Sequence, residues 1–167
     1  DGASDELVIE GSGNSGMTIL SGTSGEGGIK FGDSGDNDAG RIVYDHSTDN
    51  MLFLTSGNTQ FTITDDGRGI SEFTALAWVR VDQTGSQGID DSQNVSSISD
   101  DGAGKTTVNF DNNMANANYS ITMCSENNSY QGTTSASTSA FAFAIANSSA
   151  SYEDRLRVSA VVHGTGL

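Results

Sequence analysis

Along the first seventy residues, apolar positions recur as triplets of the form apolar-x-apolar. They open at Leu7 ("LVI"), Met17 ("MTI"), Ile29 ("IKF"), Ile42 ("IVY"), Met51 ("MLF") and Phe61 ("FTI"). Strand side chains alternate between faces, so each triplet places two apolar groups on one side and reads as a short β-strand. Between the triplets lie stretches such as "EGSGNSG", "SGTSGEGG", "FGDSGDNDAG" and "SGNT". Residues 1–69 hold 14 of the 21 glycines, and proline is absent, so Gly and Asn must build the turns. This cadence predicts a repetitive β-rich shaft over residues 1–70.

After a transition at 71–75 the apolar runs lengthen: "LAWVRV" (76–81), "NVSSIS" (94–99), "TTVNF" (106–110), "NYSITMC" (118–124), "SAFAFAIA" (139–146) and "RLRVSAVV" (155–162). Strands of this length at turn-separated spacing predict an antiparallel β-sandwich knob over 76–167, making the whole chain all-β. Trp78 alternates with Leu76 and Arg80 and is read as core packing, with sugar stacking the alternative. The longest polar stretch, "SENNSYQGTTSASTS" (125–139), is read as a loop between two knob strands. Its Asn127, Asn128, Tyr130 and Gln131 set hydrogen-bonding groups beside an aromatic ring, a mixture suited to receptor binding.

Two apolar residues per short strand make a thin core. At roughly 25 cal/mol per Å² of buried apolar area, it struggles against about 1–2 kcal/mol of backbone entropy per residue. Three copies wound about one axis would share that core and pair their strand edges. On this reading Ile19, Ile29, Phe31, Ile42, Phe53, Phe61 and Ile63 point toward the axis of a homotrimer, and each repeat adds length to a fibre.

Composition narrows the partners. The net charge is −15, from 7 basic and 22 acidic residues, which repels nucleic acid and anionic lipid. No apolar run approaches membrane-spanning length, so no membrane insertion is expected. Cys124 is the one cysteine; it rules out an internal disulfide framework and, at the apolar end of "YSITMC", is expected to be buried. The chain opens on "DGASDELVIEG" without a Met and reads as a piece of something longer.

The segments "ELVIEGSGNSGMTILSG", "IKFGDSGDNDAGRIVYDHSTDNMLFLTSG" and "FTITDDGRG" resemble the shafts of phage tail-fibre and related virion appendage proteins, in particular those of marine and cyanobacterial viruses. "DSQNVSSISDDGAGKTTVNFDNNMANANYSITMCS" is similar to the terminal knob of many such fibres. The resemblance covers most of the chain. It implies a homotrimer in the virion, attached to other virion proteins through a part that precedes this segment. It further implies binding of a host surface glycan or protein.

Candidate chemistry is sparse. Asp33, Asp36 and Asp38 in "DSGDNDAG" offer oxygen ligands for calcium; the preferred expectation is a plain turn, with no cofactor. His46 and His163 are the two histidines, and three copies of His163 on an axis would make a metal seat. His46, in a turn, is expected to be solvated. The carboxylate pairs Asp65/Asp66, Asp90/Asp91 and Asp100/Asp101 arise readily among 22 acidic residues and fall mostly in turns. "GAGKT" (102–106) precedes a strand and lacks the upstream glycine of a phosphate loop. The expectation is therefore a binding protein and not an enzyme. The alternatives are a purely structural virion segment, a glycan-depolymerising tailspike and a bacterial adhesin.

Overall fold

The computed structural model describes residues 7–127 and 129–164. Among these residues the chain is all-β, with antiparallel pairing between its strands and no helix. It divides into two compact units, Asp1–Thr59 and Gln60–Leu167.

In the first unit, β1 (Glu26–Phe31), β2 (Gly40–Asp45) and β3 (Asn50–Thr55) form a meander. Turn chemistry fixes it. Asp33 Oδ1 accepts the amides of Gly35 at 2.7 Å and Asp36 at 3.0 Å, closing the β1–β2 connection. Asp45 Oδ1 does the same for Ser47, through its hydroxyl at 2.7 Å and its amide at 2.8 Å. These hydrogen bonds to the charged form hold both carboxyls below their ordinary range. After β3, Ser56 (φ 50°) and Gly57 (φ 75°) make a two-residue left-handed turn of the kind that matches strand twist.

The register runs Ile29–Ile42–Phe53 straight across the three strands, so the triplets share one face as the alternation requires. That face is only partly covered, with Ile42 half-buried between exposed neighbours. Ile29 is 42% exposed and Phe31 57%, whereas Val43, on the opposite face of the middle strand, is 5% exposed. The triplets at Leu7 and Met17 form no strand, contrary to the expectation from sequence. Glycines at 11, 13 and 16 interrupt them, and Leu7, Val8, Ile9, Met17 and Leu20 lie exposed with no ladder to join.

β4 (Asn58–Ile63) straddles the division and pairs with β5 (Gly69–Ile70). Residues 60–75 belong with the second unit because Phe61 stacks on Phe73, with centroids 6.2 Å apart, and Ile70 packs on the sandwich core. A Cβ at Gly69 would stand 2.9 Å from the Phe61 ring, so any side chain there forces the ring to shift.

The sandwich follows. Its strands are β6 (Ala77–Asp82), β7 (Gly88–Gln93), β8 (Val95–Asp100), β9 (Lys105–Phe110), β10 (Ser120–Ser125), β11 (Ser129–Ala136), β12 (Ala140–Asn147) and β13 (Val158–His163). One sheet runs β10-β13-β6-β7 and the other β11-β12-β9-β8. Alternate residues of the central strands fill the space between them: Val79, Val81, Val158, Ala160 and Val162 from the first, Val108, Phe141, Phe143 and Ile145 from the second. The six strands expected here are present. β7 ("GIDDSQ") has a single apolar side chain and gave no pattern to read.

Three expectations are corrected. The stretch 125–139 is not a loop: Ser129–Ala136 is an edge strand paired with β12 on one side. An edge strand facing solvent needs no apolar alternation, so its Ser and Thr disguise it. Trp78 lies outside the core, because Ala77, Val79 and Val81 take the inner face. It is half-buried on the outer face, where its Nε1 donates to Gln93 Oε1 at 3.0 Å. Cys124 is exposed, since Ile121 and Met123 take the inward positions of β10.

The crossing between sheets depends on Asn94, the single residue between β7 and β8, at φ 54°. Its side chain donates to the carbonyls of Leu76 (3.2 Å) and Asn112 (3.1 Å) and accepts the Asn112 amide at 2.7 Å. Asn tolerates this left-handed backbone better than other residues with a side chain. Asn94→Gly is expected to cost about 1–3 kcal/mol through the lost bonds. Asn94→Ala should cost about 1 kcal/mol more, from strain at positive φ. Denaturant unfolding followed by Trp78 fluorescence measures both; an Ala variant milder than the Gly variant would contradict this account.

Candidate functional site at the β10–β11 corner

Two outward-facing rows cross the sheet β10-β13-β6-β7. The first is Thr122–Val161–Trp78–Gln93 and the second Cys124–Ser159–Arg80–Asp91. Beyond the second row the sheet edge opens into a shallow pocket of about 260 Å³, lined by Arg80, Cys124, Ser125, Glu126, Arg157 and Ser159.

Backbone bonds hold its wall in place. Gln83, fully buried at the end of β6, donates its amide to Arg155 O at 2.9 Å and accepts the Arg155 amide on Oε1 at 3.3 Å. Its Nε2 is anchored on Thr106 Oγ1 at 2.9 Å. From the other side, Glu126 Oε1 accepts the Leu156 amide at 2.9 Å, and the Glu126 amide donates to Arg157 O at 3.2 Å. Residues 155–157 are thus clamped between two strands, which sets the position of Arg157.

The cations of this acidic chain are mostly engaged. Lys30 and Arg41 meet Asp38, Arg68 meets Asp66, Arg80 meets Asp90 at 3.0 Å, and Arg155 meets Glu153. Lys105 lies over the Tyr152 ring. Among the described residues, Arg157 is the cation without a carboxylate or ring partner, and it is exposed in the pocket. Arg80 in "LAWVRV" projects outward from β6, and Arg157 in "RLRVSAVV" is exposed one residue before β13. That was the available signal for this site, and sequence reasoning did not use it.

The expected receptor-binding residues border the same corner. Asn127 is exposed at φ 61° in the turn, and Asn128 lies outside the described residues. Tyr130 is 66% exposed on β11. Gln131 is committed elsewhere: its Nε2 donates to Met123 O at 2.7 Å, stapling β11 to β10. The Ser125 and Ser129 hydroxyls bond each other across the turn.

Of the expected axis residues, Ile19, Ile29 and Ile42 line one groove of about 360 Å³ in the first unit, with Tyr44, His46 and Met51. His46 lies in the turn after β2 as expected, but is half-buried there, edge-on to Tyr44 at 4.8 Å, instead of fully solvated. Phe53 shares the Ile29–Ile42 row, and Phe31 is two positions along the same face of β1. Phe61 and Ile63 belong to the second unit.

Asp33 and Asp36 cap their own turn, and Asp38 lies 3.5 Å from Lys30 and 3.6 Å from Arg41. His163 is exposed at the end of β13. Among the described residues, no three of His, Cys, Asp or Glu converge in an arrangement fit for a metal. The carboxylate pairs are similarly tied. Asp66 binds Thr64 and Arg68, Asp90 binds Arg80, Asp100 binds Gln87, and Asp101 binds Thr107.

No protein-family model and no curated protein sequence matches this chain. A search of solved structures found a phiAB6 tailspike, crystallised with three-repeated oligosaccharides of Acinetobacter baumannii surface polysaccharide. The TM-score is 0.45 at 14% sequence identity, over 98% of this chain and 31% of that one. The chain thus spans about a third of that tailspike's length.

Proposed function

We propose that this chain is a segment of a homotrimeric virion fibre, with a shaft at its N-terminal side and a C-terminal sandwich that binds a glycan or protein on the host surface. The observation that carries the shared-core part is the partly exposed apolar row Ile29–Ile42–Phe53, in register on one face of the meander, with Ile29 and Phe53 exposed at its ends. Three such faces turned to one axis would bury what a single chain leaves in water. The viral setting is supported by the resemblance of the shaft and knob segments to phage fibres. Attachment is assigned to the β10–β11 corner, where Asn127 and Tyr130 project on a rigid sandwich. Three copies would bind a surface together, raising avidity without new contacts.

The shaft is tested by Phe31→Asp, which puts three desolvated carboxylates together in an apolar interior. The full chain should then lose its cooperative thermal transition or melt far lower. Lys30→Ser removes only an exposed ion pair on the opposite face and should shift the melt little. Equal effects at the two positions would contradict the inward orientation.

Attachment is tested by Asn127→Gly, which keeps the φ 61° backbone without strain, combined with Tyr130→Ala. Both side chains are exposed, so the melting temperature should hold within the scatter of surface substitutions. Binding to host cells should fall sharply. Undiminished binding would favour a purely structural role for this corner, and shortening of host polysaccharide by the parent chain would favour the tailspike reading.

A further inference from the structure

We propose that the pocket between Arg157, Glu126, Ser159 and Arg80 is a site for a neutral saccharide, gripped through a pair of adjacent hydroxyls. The inference rests on the host-surface reading above and gives its ligand a chemistry. It also moves the centre of recognition from the Asn127 turn to the neighbouring face of the sheet.

The donor and acceptor inventory points to a polyol. Arg157 offers a guanidinium fork with no partner among the described residues. Glu126 spends Oε1 on the Leu156 amide and keeps Oε2 as an acceptor. Each hydroxyl of a sugar diol both donates and accepts, so a fork and a carboxylate side by side complement it. The Ser159 hydroxyl, on the same outward row as Arg80, adds a group that works in either sense.

Charge argues against an acidic sugar. Arg80 and Arg157 stand among Glu126, Asp90 and Asp91, so two positive groups meet three negative ones. Arg80 is already paired with Asp90 at 3.0 Å. The neighbourhood has no positive surplus, and the chain carries −15. A uronate or sulfate would approach against that field, whereas a neutral ligand is indifferent to it.

Size and surroundings fit as well. At about 260 Å³ the pocket is smaller than a drug-sized ligand site, which suits one sugar unit at the end or side of a chain. Next to it, Trp78 precedes Arg80 by two positions on the same outward face, a separation of about 7 Å along a strand. Its indole is held by the Gln93 bond and flanked by Val161, an apolar step where a second unit can rest.

The test is a printed array of neutral, uronate-bearing and sulfated oligosaccharides, probed with the full chain and with Arg157→Ala and Glu126→Gln. Glu126→Gln keeps an acceptor for the Leu156 amide but turns the free acceptor into a donor. Parent retention should fall on neutral glycans, and each variant should lose about tenfold or more of it, the worth of a hydrogen bond to a charged group. Melting temperatures should stay at the parent value, because Arg157 is exposed and Glu126→Gln preserves its backbone bond. Retention on acidic glycans alone overturns the proposal. If parent and both variants are retained alike on neutral glycans, this pocket is overturned while a glycan-binding role stands. If no glycan retains the parent, the glycan reading falls together with the site.

Discussion

A β-strand needs a partner for each edge and cover for each apolar face, and the first unit meets the first need better than the second. Its meander is closed by Asp33, Asp45 and the Ser56–Gly57 turn, which satisfy the backbone locally. Its apolar face is only partly covered, because each strand contributes two apolar side chains and the segment carrying Met17 and Ile19 leaves Ile29, Phe31 and Phe53 exposed. A contiguous exposed apolar patch of this kind marks a surface that associates. Everything proposed for the shaft descends from that imbalance.

The second unit solves the same problem within one chain. Its two sheets face each other, and alternate residues of β6, β13, β9 and β12 interdigitate between them. With cover secured, polar groups are free for other work. Gln83 and Asn94 use buried amides to pin connections at the sheet ends, and Gln83 thereby sets the strap that carries Arg157. The proposed recognition site lies on the outer face of a sheet whose inner face is already packed.

Much of this was legible from the sequence, for a specific reason. Period-2 alternation was unambiguous where one face is buried, as in "SAFAFAIA", and the triplet phase at Ile29, Ile42 and Phe53 agrees with the observed register. Legibility failed where that asymmetry is missing. β7 and β11 are strands with almost no apolar pattern, held by pairing to a neighbour, so backbone bonds define them and side chains do not. The triplets at Leu7 and Met17 failed in the opposite sense, having the pattern without a partner. Trp78 shows a third limit: an aromatic on an alternating strand can face either way, and the valines at 79 and 81 decide which. The pocket left only its two arginines as a signal, because Arg80, Glu126 and Arg157 meet only through the β10–β13–β6 pairing.

The central claim is that the apolar face of the first unit is covered by other copies of the same chain. Sedimentation equilibrium of the full chain measures this directly, without assuming any ligand. The account predicts a single species of three times the 17.3 kDa chain mass. A folded species at the mass of one chain, stable on dilution, would contradict it.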